Sequence, residues 1–173
     1  QPYTGCNPYG FFVADNKTLM KKILRYHRIS VPRFAAFPRG RAVRLGHKLA
    51  FPVIVKSATE HGSIGISQAS IVNSDEKLKE RVEFVFDQLE TDVVVEEYIE
   101  GREIYVSVLG NDRLATFPIL EMDFGKMPDD QYRIATAKVK WDEAYQERID
   151  VTVHPIKELE PAVERRIASV AKR

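Results

Sequence analysis

The sequence predicts a mixed α/β chain of the α+β type, with much of its strand pairing antiparallel. Short apolar runs such as PVIV at 52–55 and VVV at 93–95 have the length and β-branched content of buried strands. Segments with apolar residues at three- and four-residue spacing alternate with these runs, as helices do. In two places, successive strand-like segments are joined by loops without a helical pattern, which favours antiparallel neighbours over crossovers.

Taken in order, the first helix is expected from Asn16 to Arg28, capped by Asp15 or Asn16, with Leu19, Ile23 and His27 on its inner face. VPRFAAF at 31–37 reads as a strand opening at a proline. The stretch Arg33–Lys48 holds four arginines, His47 and Lys48 with no acid, and Pro38 and Gly40 make much of it a solvated loop. Pro52–Val55 is a buried strand and Gly65–Val72 its expected antiparallel partner. A second helix is expected after Asn73, its cap, with Glu76 three residues on and Leu78, Val82, Val85, Phe86 and Leu89 facing inward. DVVVEEYI at 92–99 is another strand, ending in two carboxylates. Residues 103–109 and 113–119 read as a hairpin around GND, and 133–141 as a strand whose alternation puts Lys138 and Lys140 on one face.

Composition narrows the function. With 173 residues, of which 44% are hydrophobic and 29% charged, the chain suits one globular domain or two small ones. Twenty-six Lys and Arg against 25 Asp and Glu leave a net charge of +1, so no overall field selects nucleic acid or an anionic membrane. A small-molecule partner is expected instead. The single cysteine, Cys6, rules out an internal disulfide framework and fits a reducing compartment. No apolar run nears the ~20 residues that span a bilayer, and Gln1–Gly10 lacks the regions of a signal peptide, so the expected location is the cytoplasm. The chain lacks an initiator methionine, and a helical pattern through Leu159, Val163, Ile167 and Val170 runs to its end without a glycine or asparagine stop. It therefore reads as a piece of a larger protein.

The segment PVIVKSATEHGSIG at 52–65 points to chemistry. Lys56 leaves the end of a buried strand, where desolvation is partial and an anion is favoured. The following loop offers Gly62, Ser63 and Gly65, whose backbone amides an anion can approach closely. Alone, this segment reads as a mobile hairpin loop with a solvated lysine, and it matches neither common glycine-rich phosphate motif. Glu96, Glu97 and Glu103 add acceptors suited to an adenine amino group and ribose hydroxyls, with extended backbone near Glu97–Ile99 for the base edge. Lys17, Lys56 and Lys138 are cations on three separate elements.

Together, PYTG at 2–5, DNK at 15–17, VPRF at 31–34, FPVIVK at 51–56, EHGSIG at 60–65, VVVEEYIEGREI at 93–104 and TAK at 136–138 resemble the ATP-grasp superfamily. Within it, they are similar to D-alanine–D-alanine ligase-like enzymes. The resemblance implies two subdomains of mainly antiparallel sheet with ATP between them. It implies that Lys17, Lys56 and Lys138, or Lys140 in its place, contact phosphates, and that Glu96 and Glu103 hold adenine and ribose. Glu97, Tyr98 and Ile99 are then backbone contacts to the base, and Glu60, Gly62, Ser63 and Gly65 belong to a flap over the phosphates. The implied subdivision is 1–13 as the tail of an N-terminal domain, 14–100 as the central subdomain and 101–173 as the start of an incomplete C-terminal one.

The implied activity is ATP-dependent ligation of a small carboxylate to an amine through an acyl phosphate, with Mg2+ as the metal. A non-catalytic nucleotide-binding or regulatory module is the alternative, and a homo-oligomer is left open. Two departures bear on the substrate. Gly62 stands where such ligases carry a flap serine, and Val139 where they carry a tyrosine, which points to a substrate other than the D-alanine dipeptide. The metal-binding Glu-x-Asn pair is missing, since the asparagines are Asn7, Asn16, Asn73 and Asn111. Asp150 is read as a decoy, the metal ligands are expected beyond Arg173, and residues 1–173 alone are expected to be inactive. The histidines at 27, 47, 61 and 154 lack ligand spacing, and His27 is expected at the core edge.

Overall fold

The computed structural model describes residues 3–44 and 49–173. Gln1, Pro2, His47 and Lys48, named above, lie outside the described residues. The chain divides into two compact units: one holds the chain through Ile99 together with Ala135–Lys140, the other Glu100–Ile134 and Trp141–Arg173.

The first unit opens with helices α1 (Pro8–Asp15) and α2 (Lys17–Tyr26). Asn7 caps α1 by accepting from the Gly10 N–H at 2.8 Å, and Pro8 sits at its first turn, where its missing N–H costs nothing. This helix takes up residues 8–13 of the 1–13 segment expected to be a tail; the Asn-Pro pair was its signal. Asn16 ends α1 and caps α2, accepting from the Leu19 N–H at 2.9 Å. The second helix lies where the periodicity puts it, with Leu19 and Ile23 half-buried, but His27 is exposed at its C-cap instead of at the core edge.

Four antiparallel strands follow: β1 (Phe34–Phe37), β2 (Val53–Ser57), β3 (Ile71–Val72) and β4 (Val93–Glu97), in the order β1-β4-β2-β3. Only the last two residues of the expected 65–72 strand pair with β2. The remainder forms the loop and a 3-10 turn at Gln68–Ser70, because the Ser70 hydroxyl accepts from the Ser67 N–H at 3.0 Å and holds the chain in a turn. Helix α3 (Asp75–Gln88) is capped by Ser74, one residue after the expected Asn73, with Asp75 and Glu76 in its first turn complementing the helix dipole.

Pleating sorts this sheet's residues by chemistry. Val53, Val55, Val93 and Val95 meet Leu78, Val82, Val85 and Phe86 of α3 in one buried cluster, with Leu89 at its margin. The register places Phe34, Ile54, Lys56, Val94 and Glu96 on the opposite face. Helix α4 (Ala137–Trp141) stands where a strand was expected. The Thr136 hydroxyl accepts from the Val139 N–H at 3.2 Å and starts the turn, and Val139 is buried. Lys138 and Lys140 therefore do not share a face, as they would on a strand.

In the second unit, β5 (Glu103–Tyr105), β8 (Leu120–Asp123) and β9 (Thr152–Pro155) form an antiparallel sheet in the order β5-β8-β9, while β6 (Val108–Leu109) and β7 (Ala115–Thr116) form a separate hairpin. The expected single hairpin of 103–109 with 113–119 is thus split. Its tip survives between β6 and β7, where Gly110 has φ +129 and a Cβ would lie 2.0 Å from the Arg113 carbonyl oxygen. Helix α5 (Glu143–Ile149) is capped by Asp142, and α6 (Pro161–Ala171) begins at a proline. Ile119, Phe124, Met127, Ile134 and Ile149 are the buried apolar residues of this unit.

Candidate functional site

The candidate site of the first unit grows from its second sheet face. Ile54 and Phe34 flank Glu96 on neighbouring strands, so the carboxylate is forced into a sheet interior and is only 4% exposed. A charge so placed needs partners. Two lysines supply them: Lys21 Nζ from α2 lies 3.0 Å from Glu96 Oε2, and Lys56 Nζ lies 3.5 Å from the same oxygen. Lys56 sits at the rim with a side chain 29% exposed, whereas Lys21 is buried.

Lys17, one turn before Lys21, donates to the Glu60 carbonyl oxygen, and its backbone N–H donates to Ala58 O at 2.9 Å. Burial and then the nearby Lys56 charge lower the Lys17 pKa from 10.5; Glu96, Asp15 and Glu60 oppose the shift. Burial thus disfavours the charged form of this ammonium.

The loop after β2 is pinned at several points. The buried Ser57 hydroxyl accepts from the Glu60 N–H at 2.9 Å and the Thr59 N–H at 3.2 Å, and His61 reaches the Asp15 carbonyl oxygen. Gly62 and Ser63 both have positive φ, and the Ser63 hydroxyl donates to Ala135 O at 2.5 Å. Gly65 is required where it stands: its φ is +70 and a Cβ would lie 2.6 Å from Leu89 Cδ1. Its carbonyl accepts from Arg81 Nη2 at 2.5 Å.

The structure therefore brings Lys17, Lys56, Glu60 and Glu96 into one network, and adds Lys21, which the sequence reading missed. Its signal was a lysine four residues after Lys17, on the same helical face. Lys138 is exposed on α4, outside that network. At the end of β4, the Glu97 carboxylate pairs with Arg33 at 3.4 Å. The N–H groups of Glu97 and Tyr98 donate to Arg33 O and Pro52 O, so two of the expected base-edge donors are already used. Ile99 is exposed.

In the second unit, Glu103 Oε1 accepts from the Tyr105 hydroxyl, whose pKa is pushed well above its usual range by burial and by this carboxylate. Asp150 ends α5 in a left-handed conformation and pairs with Lys126 at 3.5 Å. Among the described residues, no group of three or more His, Cys, Asp or Glu side chains is placed to hold a metal ion. No helix among them is long and apolar enough to cross a membrane.

A sequence model described as "D-ala D-ala ligase C-terminus" matches residues 23–173. The chain belongs to this family. The D-alanine–D-alanine ligase of Syntrophotalea carbinolica is 37% identical over 123 residues, covering 70% of this chain and 37% of that enzyme. The uncharacterized protein y4sG of Sinorhizobium fredii is 34% identical over 125 residues, covering 72% of this chain and 36% of that protein. The chain thus spans little more than a third of these relatives. The D-alanine–D-alanine ligase of Bacillus anthracis superposes with a TM-score of 0.73 at 25% identity, over 98% of this chain and 50% of that one. A second structure of that enzyme is complexed with ATP. The fold of this D-alanine–D-alanine ligase-like chain is ATP-grasp.

Proposed function

We propose that the chain is the nucleotide-binding part of an ATP-dependent carboxylate–amine ligase that works through an acyl phosphate. The observation that carries this reading is the set of cations around buried Glu96, beside a loop with positive φ at Gly62, Ser63 and Gly65, in a member of this family. Lys17 and Lys56 would meet the triphosphate, joined by Lys138. Glu96 would accept from the adenine amino group through its second oxygen, with backbone near Ile99 against the base, and Glu103 would take ribose. Residues Glu60–Gly65 would lie over the phosphates.

In the proposed reaction, a substrate carboxylate oxygen attacks the γ-phosphorus in line, and ADP departs with the bond electrons. An amine then attacks the acyl carbon, phosphate leaves and the nitrogen loses a proton. Lysine charge offsets the negative charge spread over the transferring group. ATP-grasp ligases imply Mg2+, but the described residues form no cluster suited to it, so no step here is assigned to a metal.

We also infer a substrate other than paired D-alanine. Gly62 brings no hydroxyl to the loop, the Ser63 hydroxyl is engaged by Ala135, and the buried Val139 leaves no phenol beside Lys138. The test is ADP release by the full-length gene product, supplied with ATP, magnesium and a panel of amino acids. Release that requires an amino acid other than D-alanine is expected. Equal or faster release with D-alanine alone would remove the substrate inference, and ATP binding without release under any condition would favour the non-catalytic module.

A further inference from the structure

Glu96 has more positive charge around it than it can neutralise. Lys21 and Lys56 share a single carboxylate oxygen, at 3.0 and 3.5 Å. The two contacts differ in kind. Lys21 and Glu96 have side chains 8% and 5% exposed, so this pair is closed off from water, and the Lys21 ammonium also lies 5.9 Å from the centre of the Phe34 ring. Lys56 makes the longer contact from the rim.

We infer that Lys21 is a positioning residue whose buried charge neutralises Glu96, so that Lys56 is free to leave the carboxylate for a nucleotide's phosphate chain. The inference rests on the nucleotide-binding reading above. Breaking a buried ion pair from one side leaves the other charge uncompensated, which is far costlier than exposing it. Without Lys21, Glu96 would draw Lys56 inward as its remaining partner. Lys56 would then be withheld from the phosphates, although it had not itself been changed. Lys21 cannot take over that phosphate contact, because its ammonium is buried against the carboxylate.

The readout is the preference of the full-length protein for ATP over AMP, measured by calorimetry, because the phosphate chain and not the adenine separates the two. Lys21→Met is expected to lower this preference about tenfold, the scale of one charge-assisted contact, with a smaller change in AMP affinity. Lys21→Met/Glu96→Gln is expected to recover most of it, since no buried charge then holds Lys56. If Lys21→Met alone does not fold, the comparison of Glu96→Gln with the double variant decides. Equal preference supports the inference, and a further drop in the double variant overturns it. An unchanged preference in folded Lys21→Met overturns it too. Wild-type protein with no preference for ATP overturns the nucleotide reading itself, a distinguishable result.

Discussion

The two units use their strands in opposite ways. In the first, β2 and β4 are buried on both faces, one packed on α3 and the other closed over a carboxylate and its lysines. In the second, β5, β8 and β9 are half-buried or exposed along their length, and α6 buries no residue fully. Burial therefore builds the two sets of candidate ligands differently. Glu96 is fixed by its place in a sheet and by an ion pair with Lys21 that is closed off from water, whereas Glu103 is fixed by one hydrogen bond from Tyr105 at a wetter site. Of the two candidate ligands, the more deeply buried belongs to the first unit.

The largest expected effect tests that contrast in the cores. Leu78, 1% exposed, anchors α3 on the first sheet, and Leu78→Ala should cost about 2–5 kcal/mol in chemical denaturation. Ile167→Ala on the half-buried face of α6 should cost less than about 1.5 kcal/mol, half a full side-chain burial. Equal losses would break the comparison. Next comes Gly65→Ala, where a methyl group meets Leu89 in a left-handed backbone; a loss of about 1–3 kcal/mol is expected. A neutral result would mean that the loop and Leu89 move apart freely.

In the second unit, Tyr105→Phe removes the donor to Glu103 and should weaken ATP binding by about 1 kcal/mol. A larger loss would make Glu103 as firmly placed as Glu96. The smallest effect is a pH dependence. Because the folded pKa of Lys17 is lowered, the folded protein holds fewer protons on this residue than the unfolded chain between that pKa and 10.5. Stability relative to Lys17→Met should therefore rise with pH across that window, as the charge penalty is relieved. A relative stability that falls with pH there would contradict the assigned cause.

The contrast also explains what the sequence made legible. Strongly periodic or wholly apolar segments, 52–55, 93–97 and 75–88, were placed well because packing on one core fixes them. The second unit's strands were misjoined, since β5 pairs with β8 across the inserted β6–β7 hairpin and nothing in the local pattern of 103–119 announces that choice. The segment 133–141 alternates like a strand yet turns into α4 around Thr136, a local hydrogen bond overriding periodicity. At the candidate site, Lys17, Lys56 and Glu96, which the ATP-grasp resemblance nominated, lie in one network. Lys21 was not nominated, because a buried lysine looks like any surface lysine until its carboxylate is seen.

The most direct test of the central claim, that the first unit's cations form a triphosphate site, is calorimetric binding of ATP and AMP to the full-length protein and its Lys56→Ala variant. Losing a charge-assisted contact should weaken ATP binding by about 1.5–3 kcal/mol and leave AMP nearly unchanged. Unchanged ATP affinity in a folded Lys56→Ala variant, or an equal loss for AMP, would contradict the account.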